Sequence, residues 1–142
     1  SDTLDSVVLK WFLEDLCAEL RKGGYAGART VRLTTDLPSL PLAAEKAVPL
    51  GLLVTEGISN AFRHAFVGRE TGLIQLSARE DAGTLTLTIE DDGVGAPADT
   101  AGGSAGGLGR SLMASFARQL GGDLDVQATP EGTHVTVAFP LS

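Results

Sequence analysis

Four side chains able to bind or move charge stand close together in the stretch LLVTEGISNAFRHAF, Leu52 to Phe66: Glu56, Asn60, Arg63 and His64. On a helix, Glu56 and Asn60 are one turn apart, with Arg63 and His64 one turn further. A carboxylate, a carboxamide, a guanidinium and an imidazole therefore converge on one patch. The rest of the segment repeats Leu50, Leu53, Val54, Gly57, Ile58, Ala61, Phe62 and Ala65 at the spacing of a single buried stripe. A Glu–Arg pair alone is an ordinary feature of a solvated helix. Asn60 is harder to account for that way. Asn is a mediocre helix former, and its side-chain oxygen is a hard ligand suited to Mg²⁺.

Two further segments carry chemistry of a different kind. TIEDDGVGAP, Thr88 to Pro97, ends an alternating strand in Glu90, Asp91 and Asp92 and then places Gly93 and Gly95 around Val94. Acidic residues with glycine commonly make a turn. Here no second alternating strand follows, so the carboxylates stand at a sheet end that opens into a loose segment. A buried carboxylate there can accept a hydrogen bond from an exocyclic amine, and glycines let a flat ring approach the backbone. GGLGRSLM, Gly106 to Met113, leads glycines into a helix whose first turn offers unpaired amides and partial positive charge for a phosphate. It is neither a Walker A loop nor a dinucleotide fingerprint, since no Gly-Lys-Ser/Thr follows and no strand leads into it.

These segments sit in a chain of 142 residues with 43% hydrophobic and 20% charged residues, a composition that suits one soluble domain with a real core. A formal charge of −7 disfavours a nucleic-acid surface. An anionic ligand would need local help from a metal ion, backbone amides or an arginine. The apolar runs are too short and interrupted for a membrane span or a secretory signal. The single cysteine, Cys17, excludes an internal disulfide or a Cys-based zinc site and lies among Leu13, Leu16 and Leu20 as a packed thiol, which fits a reducing cytoplasm. The start at SDTLDS, without Met, suggests a piece of something longer.

The elements that must position the three segments follow from periodicity. A first helix is expected from about Leu4 to Lys22, with Leu9, Trp11, Phe12, Leu13, Leu16 and Leu20 on its apolar side and Gly23-Gly24 ending it. TVRLTTDL, Thr30 to Leu37, reads as a strand, and Pro38 and Pro41 as a turn. The second helix begins between Ala43 and Leu50, with Pro49 in its first turn or at a kink. Leu73 to Glu80 and Thr84 to Asp91 form a hairpin around Asp81 to Gly83. A third helix runs from Leu108 to Leu120, stopped by Gly121-Gly122, before a last hairpin around Pro130 to Gly132. The order α, β, α, β, β, loop, α, β, β predicts an α+β protein: a two-layer α/β sandwich with one mixed sheet covered on one face by helices.

Together the segments resemble the ATP-binding catalytic domain of bacterial sensor histidine kinases, in the superfamily that also holds gyrase, the ninety-kilodalton heat-shock chaperone and MutL. TEGISNAFRHAF is similar to the family's N box, EDDGVGAP to its first glycine box, GGLGRSLM to its second, and RQLGGDLDV with GTHVTVAFPL to its closing strands. The resemblance covers nearly the whole chain. It implies a Bergerat-type fold with a mostly antiparallel sheet, in which 1–142 is one domain. It further implies that Asn60 holds Mg²⁺ against the triphosphate of ATP and that Glu56 is the base that polarises the nucleophile. Arg63 and His64 would face the phosphates, Asp91 would take the adenine amine, and Gly93 and Gly95 would admit the base. Gly107, Leu108 and Gly109 would wrap the phosphates, and Ala96 to Gly106 would form a lid.

The same resemblance implies partners: a helical dimerisation segment carrying the phosphoacceptor histidine, a response regulator downstream, and a homodimer only for the full-length protein. This chain has His64 and His134 alone, one in the N box and one mid-strand. It is therefore expected to bind nucleotide without phosphorylating itself on the usual histidine. Gly57 departs from the family's larger apolar residue, lowering helix propensity by roughly 1 kcal/mol and permitting close packing. Two other readings use the same residues: an anti-sigma-factor serine kinase of the same fold, and a degenerate docking domain that no longer transfers phosphate.

Overall fold

The computed structural model describes residues 5–22, 30–94 and 104–142. In chain order the elements are β1 (Ser6–Val8), α1 (Leu9–Lys22), β2 (Thr30–Asp36), β3 (Pro41–Ala43), α2 (Ala44–Asn60) continued by a π turn (Ala61–Ala65), β4 (Thr71–Asp81), β5 (Thr84–Asp91), α3 (Ser104–Gln119), β6 (Asp123–Thr129) and β7 (Gly132–Pro140). Five strands form one sheet in the order β2-β4-β5-β7-β6, and β1 pairs with β3 in a small separate ribbon. The β2–β4 pairing is parallel and the other three in the large sheet are antiparallel. The expected mixed, mostly antiparallel sheet with helices over it is what forms.

The sheet has a dry face and a wet face because its strands alternate. On β5, Leu85, Leu87 and Ile89 are buried, and they meet Leu33, Ile74, Leu76, Val135, Val137 and Phe139 of the neighbouring strands in the core. Thr84, Thr86, Thr88 and Glu90 fall on the other face. The helices supply the second layer through Leu9, Leu13, Cys17 and Leu20 of α1, the whole predicted stripe of α2, and Met113 and Ala117 of α3. At Gly57 an added Cβ would lie 2.6 Å from Ile89 Cδ1 and 3.4 Å from Met113 Sδ, so the missing side chain lets α2 settle onto β5 and α3 at once. Cys17 is fully buried, and burial pushes its thiol up to about 11. That makes it an inert core group.

Several boundaries differ from expectation. The first helix starts at Leu9, because Ser6 to Val8 pair with Pro41 to Ala43 and Leu9 N donates to Leu40 O at 2.9 Å. The expected turn at Pro41 is thus a short strand. Trp11 is 64% exposed, not part of the buried stripe. Pro49 lies inside α2, beyond its first turn, and is buried. The glycines expected to end α1 fall outside the described residues. α3 begins at Ser104, so the last residues of the expected lid, Ser104 to Gly106, are helical, while 96–103 lie outside the described residues. Its end is as expected: Gly121, at φ 83°, donates to Arg118 O, and Gly122 donates to Ala117 O, both at 2.9 Å. This is the paired bonding of a Schellman stop. The first hairpin turns through Ala82 and Gly83, both at positive φ, as a two-residue loop requires.

Candidate functional site

The end of α2 is not a simple helix. At Ala61 the backbone widens into a π turn that runs to Ala65, and such widened turns recur at functional sites. Asn60 stands at the junction. The turn brings Arg63 back over it, with Nη2 donating to Asn60 Oδ1 at 2.6 Å and lying 3.8 Å from Glu56 Oε2. Glu56, Asn60 and Arg63 therefore form one linked cluster. His64 is exposed and makes no hydrogen bond or ion pair with the described residues, so it lies outside this cluster.

α3 closes on the cluster from the other side. α2 and α3 run in opposite directions, with Lys46 Nζ near Leu120 O at one end and Gly109 against Asn60 at the other. A Cβ added to Gly109 would stand 2.6 Å from Asn60 Nδ2 and 2.7 Å from Glu56 Oε2. Two segments nearly fifty residues apart in the chain thus meet at van der Waals range, and a side chain at 109 would have to displace both polar ends. Gly107 lies in the same helix, and Leu108 beside it is 73% exposed.

The third segment docks on the same π turn. The carbonyl of Ala65, released where the helix ends, accepts Val94 N at 2.8 Å. Gly93 is buried directly over that carbonyl, and a Cβ on it would be 2.1 Å from Ala65 O. Asp91 continues the inward column of Leu85, Leu87 and Ile89, so alternation turns it toward the helical layer and Glu90 away from it. Its Oδ1 accepts both Gly93 N at 2.9 Å and Thr133 N at 3.3 Å, while Oδ2 takes neither bond. Burial pushes this carboxyl above its ordinary value. The two backbone donors and the nearby His134 pull the other way, and Asp92 adds to the rise. Asp92 is committed to the backbone: its Oδ1 accepts Leu73 N at 2.8 Å, and its carbonyl accepts Arg69 Nη1 at 2.5 Å.

The structure therefore brings Glu56, Asn60, Arg63 and Gly109 into contact and ties Asp91 and Gly93 to the turn that carries Asn60 and Arg63. Gly95 falls outside the described residues. Ala65, Thr133 and Arg69, which also hold the site, do not stand out as site residues in the sequence, because they act through backbone bonds or from distant parts of the chain. Only the Asp91–Thr133 register of β5 and β7 could have found Thr133. Chemically, the site has a half-buried carboxylate with one oxygen fixed by amides. At the head of the π turn it has a carboxamide oxygen that already attracts a cation, with a carboxylate beside it.

Comparison with known proteins identifies the family. The family described as histidine kinase-, DNA gyrase B-, and HSP90-like ATPases matches residues 45–142. Blue-light-activated histidine kinase 2 of Erythrobacter litoralis is 38% identical over 117 residues, 82% of this chain and 33% of its own length. Sensor histidine kinase PdtaS of Mycolicibacterium smegmatis is 30% identical over 70% of this chain and 21% of its own. The chain thus spans a third or less of these relatives. A solved blue-light activated histidine kinase of Erythrobacter litoralis superposes on 96% of this chain and 42% of its own with TM-score 0.86 and 31% identity. The chain belongs to the histidine kinase-, DNA gyrase B- and HSP90-like ATPase family, as an ATP-binding catalytic domain of the histidine kinase kind.

Proposed function

We propose that this domain binds Mg·ATP between α2, α3 and the end of β5 and donates the γ-phosphoryl group to a histidine on a separate helical segment, in two-component signalling. The observation that carries the reading is the contact of Gly109 with Glu56 and Asn60, which joins the two segments that must share a triphosphate. Asp91 accepts the exocyclic amine of adenine on Oδ2 while Gly93 and Thr133 hold Oδ1. The buried Gly93 leaves the base free to lie against the backbone. α3 begins at Ser104, so Gly107, Leu108 and Gly109 lie past its unpaired first-turn amides, and this stretch of the helix lies on the phosphate side with Arg63.

The residues present suit a divalent cation: Asn60 Oδ1 is a neutral hard oxygen, and in this structure it already draws a guanidinium to 2.6 Å. Asn60 would hold Mg²⁺, which supplies charge neutralisation on a triphosphate that an acidic chain otherwise repels. Glu56 accepts the ring N–H of the incoming histidine, leaving the opposite nitrogen as nucleophile. That nitrogen forms the new N–P bond as the bond from the γ-phosphorus to the departing ADP oxygen breaks. The relatives, all named as histidine kinases, favour this acceptor over a partner's serine.

Calorimetric titration with ATP, with and without Mg²⁺, tests the reading. Binding is expected to require Mg²⁺ and to disappear in Asn60→Ala and Asp91→Ala, each still folded by circular dichroism. Glu56→Gln is expected to bind nucleotide normally and fail to phosphorylate an added acceptor helix. Undiminished affinity in Asn60→Ala and Asp91→Ala would overturn the site.

A further inference from the structure

The two edges of the sheet are finished differently. On β2, the Leu33 carbonyl accepts two hydrogen bonds from Arg21 of α1, at 3.2 and 2.6 Å, and Thr35 Oγ1 donates to Glu14 at 3.2 Å. That edge is thus partly capped by α1 side chains. On β6, no described residue pairs with the outer edge. Its backbone donors and acceptors stand open beside a groove of about 410 Å³ that runs between β6 and α3. An unpaired edge is a template for an added strand, and proteins that do not use one usually blunt it.

The groove has a definite chemical pattern. Leu124 and Val126 line its sheet side, Arg110, Ala114 and Arg118 its helical wall, and Asp123 the end where the chain turns out of α3. The spacing of four residues puts both arginines and the small alanine on one helix face. Neither arginine makes a hydrogen bond or ion pair with the described residues. Arg118 lies in the last turn of α3, where the helix dipole favours a cation. Arg110 has no such reason. It sits in the second turn of the helix, partly buried and without an ion pair to any described residue, on a chain of net charge −7.

We infer that the β6–α3 groove binds an extended acidic segment of a partner protein, which adds to the β6 edge and presents two carboxylates to Arg110 and Arg118. The spacing selects the sequence. Eight helical residues separate the arginines by about 12 Å. Residues four apart on a strand lie on the same face about 13 Å apart. The matching segment therefore carries Asp or Glu at positions i and i+4, with a small residue at i+2 over Ala114. Carboxylates three apart point to opposite faces and cannot reach both arginines.

The test uses two labelled ten-residue peptides of alternating Val and Ser with the same composition. One has glutamates at its fourth and eighth positions; the other exchanges the seventh and eighth residues of the first, so that its glutamates stand fourth and seventh. Fluorescence anisotropy is expected to show the first binding about tenfold tighter, a difference of ~1.4 kcal/mol. Arg110→Gln and Arg118→Gln should each remove that preference while the fold, followed by circular dichroism, is unchanged. Amide resonances of Leu124 to Ala128 should shift on binding. Equal affinity of the two peptides, no binding by either, or displacement by Mg·ATP would each overturn the inference, the last by placing the peptide in the nucleotide site. So would sedimentation showing that β6 edges pair between two copies and that the peptide cannot compete.

Discussion

The two halves of the proposed site are held in different ways. Around Asp91 and Gly93, the contacts run through the backbone: Val94 N on Ala65 O, and Gly93 N and Thr133 N on Asp91 Oδ1. Around Glu56, Asn60 and Gly109, they run between the ends of flexible side chains and one glycine. Backbone contacts are fixed by the strand and turn that carry them, whereas side-chain ends can swing. The half assigned to adenine is thus built before the ligand arrives, and the half assigned to metal and phosphate can be rearranged by it. Substitutions on each side should fail in different ways.

The sharpest contrast is between two glycines. Gly93→Ala would drive a methyl group to 2.1 Å from the Ala65 carbonyl, and neither backbone can yield alone. Overpacking of this kind costs about 3 kcal/mol or more, and urea denaturation should show that loss together with loss of nucleotide binding. Gly109→Ala also makes close contacts, at 2.6 and 2.7 Å, but with the tips of Asn60 and Glu56. Those tips can move, and alanine gains roughly 1 kcal/mol of helix propensity over glycine. Its stability should stay within about 1 kcal/mol of the parent while nucleotide affinity falls. Equal destabilisation by the two would show that both halves are equally rigid.

Asp91 separates stability from function on the rigid side. Burial raises its pKa in the folded state, so between the unfolded and folded values the native protein holds more protons than the unfolded one. Stability contributed by this group therefore falls as pH rises through that interval, and the full cost is present above the folded value. Asp91→Asn keeps an oxygen for Gly93 N and Thr133 N and removes the charge. It should raise the melting temperature at neutral pH, with the gain vanishing below the ordinary carboxylate range, and should abolish ATP binding throughout. A neutral-pH melting temperature below that of the parent would mean the ionised form is favoured by the fold.

Much of the frame was legible because it is local. The stripe from Leu50 to Ala65 is buried as its period demands, and the turn at Ala82-Gly83 and the stop at Gly121-Gly122 follow from turn and cap chemistry. What was hidden depends on partners far along the chain. Three-residue strands such as β1 and β3 have no period to detect, and Trp11 sits on a helix whose buried arc is narrower than its apolar content. The π turn leaves no mark in composition, yet its end frees the Ala65 carbonyl that Val94 uses. Alternation along β5 places Asp91 inward, but Thr133, 42 residues later, is found only once β7 is known to lie beside β5. The N-terminal turns of α3 show the same limit. Gly106, Gly107 and Gly109 read as a loop by propensity, and the helix nonetheless extends to Ser104.

The smallest expected effect lies on the adjustable side. Arg63 is about half exposed, and its bond to Asn60 and its approach to Glu56 are surface interactions, of a kind worth under about 1 kcal/mol. Arg63→Ala should therefore leave the unfolding midpoint nearly unchanged. Its influence on binding is a balance: the wild-type guanidinium must give up the Asn60 oxygen to a metal ion, yet it is then free to meet a phosphate. If the phosphate contact dominates, the variant should weaken Mg·ATP binding severalfold. If the variant instead binds Mg·ATP more tightly, Arg63 acts chiefly as a competitor for Asn60. The adjustable half would then be held closed by a cation of its own.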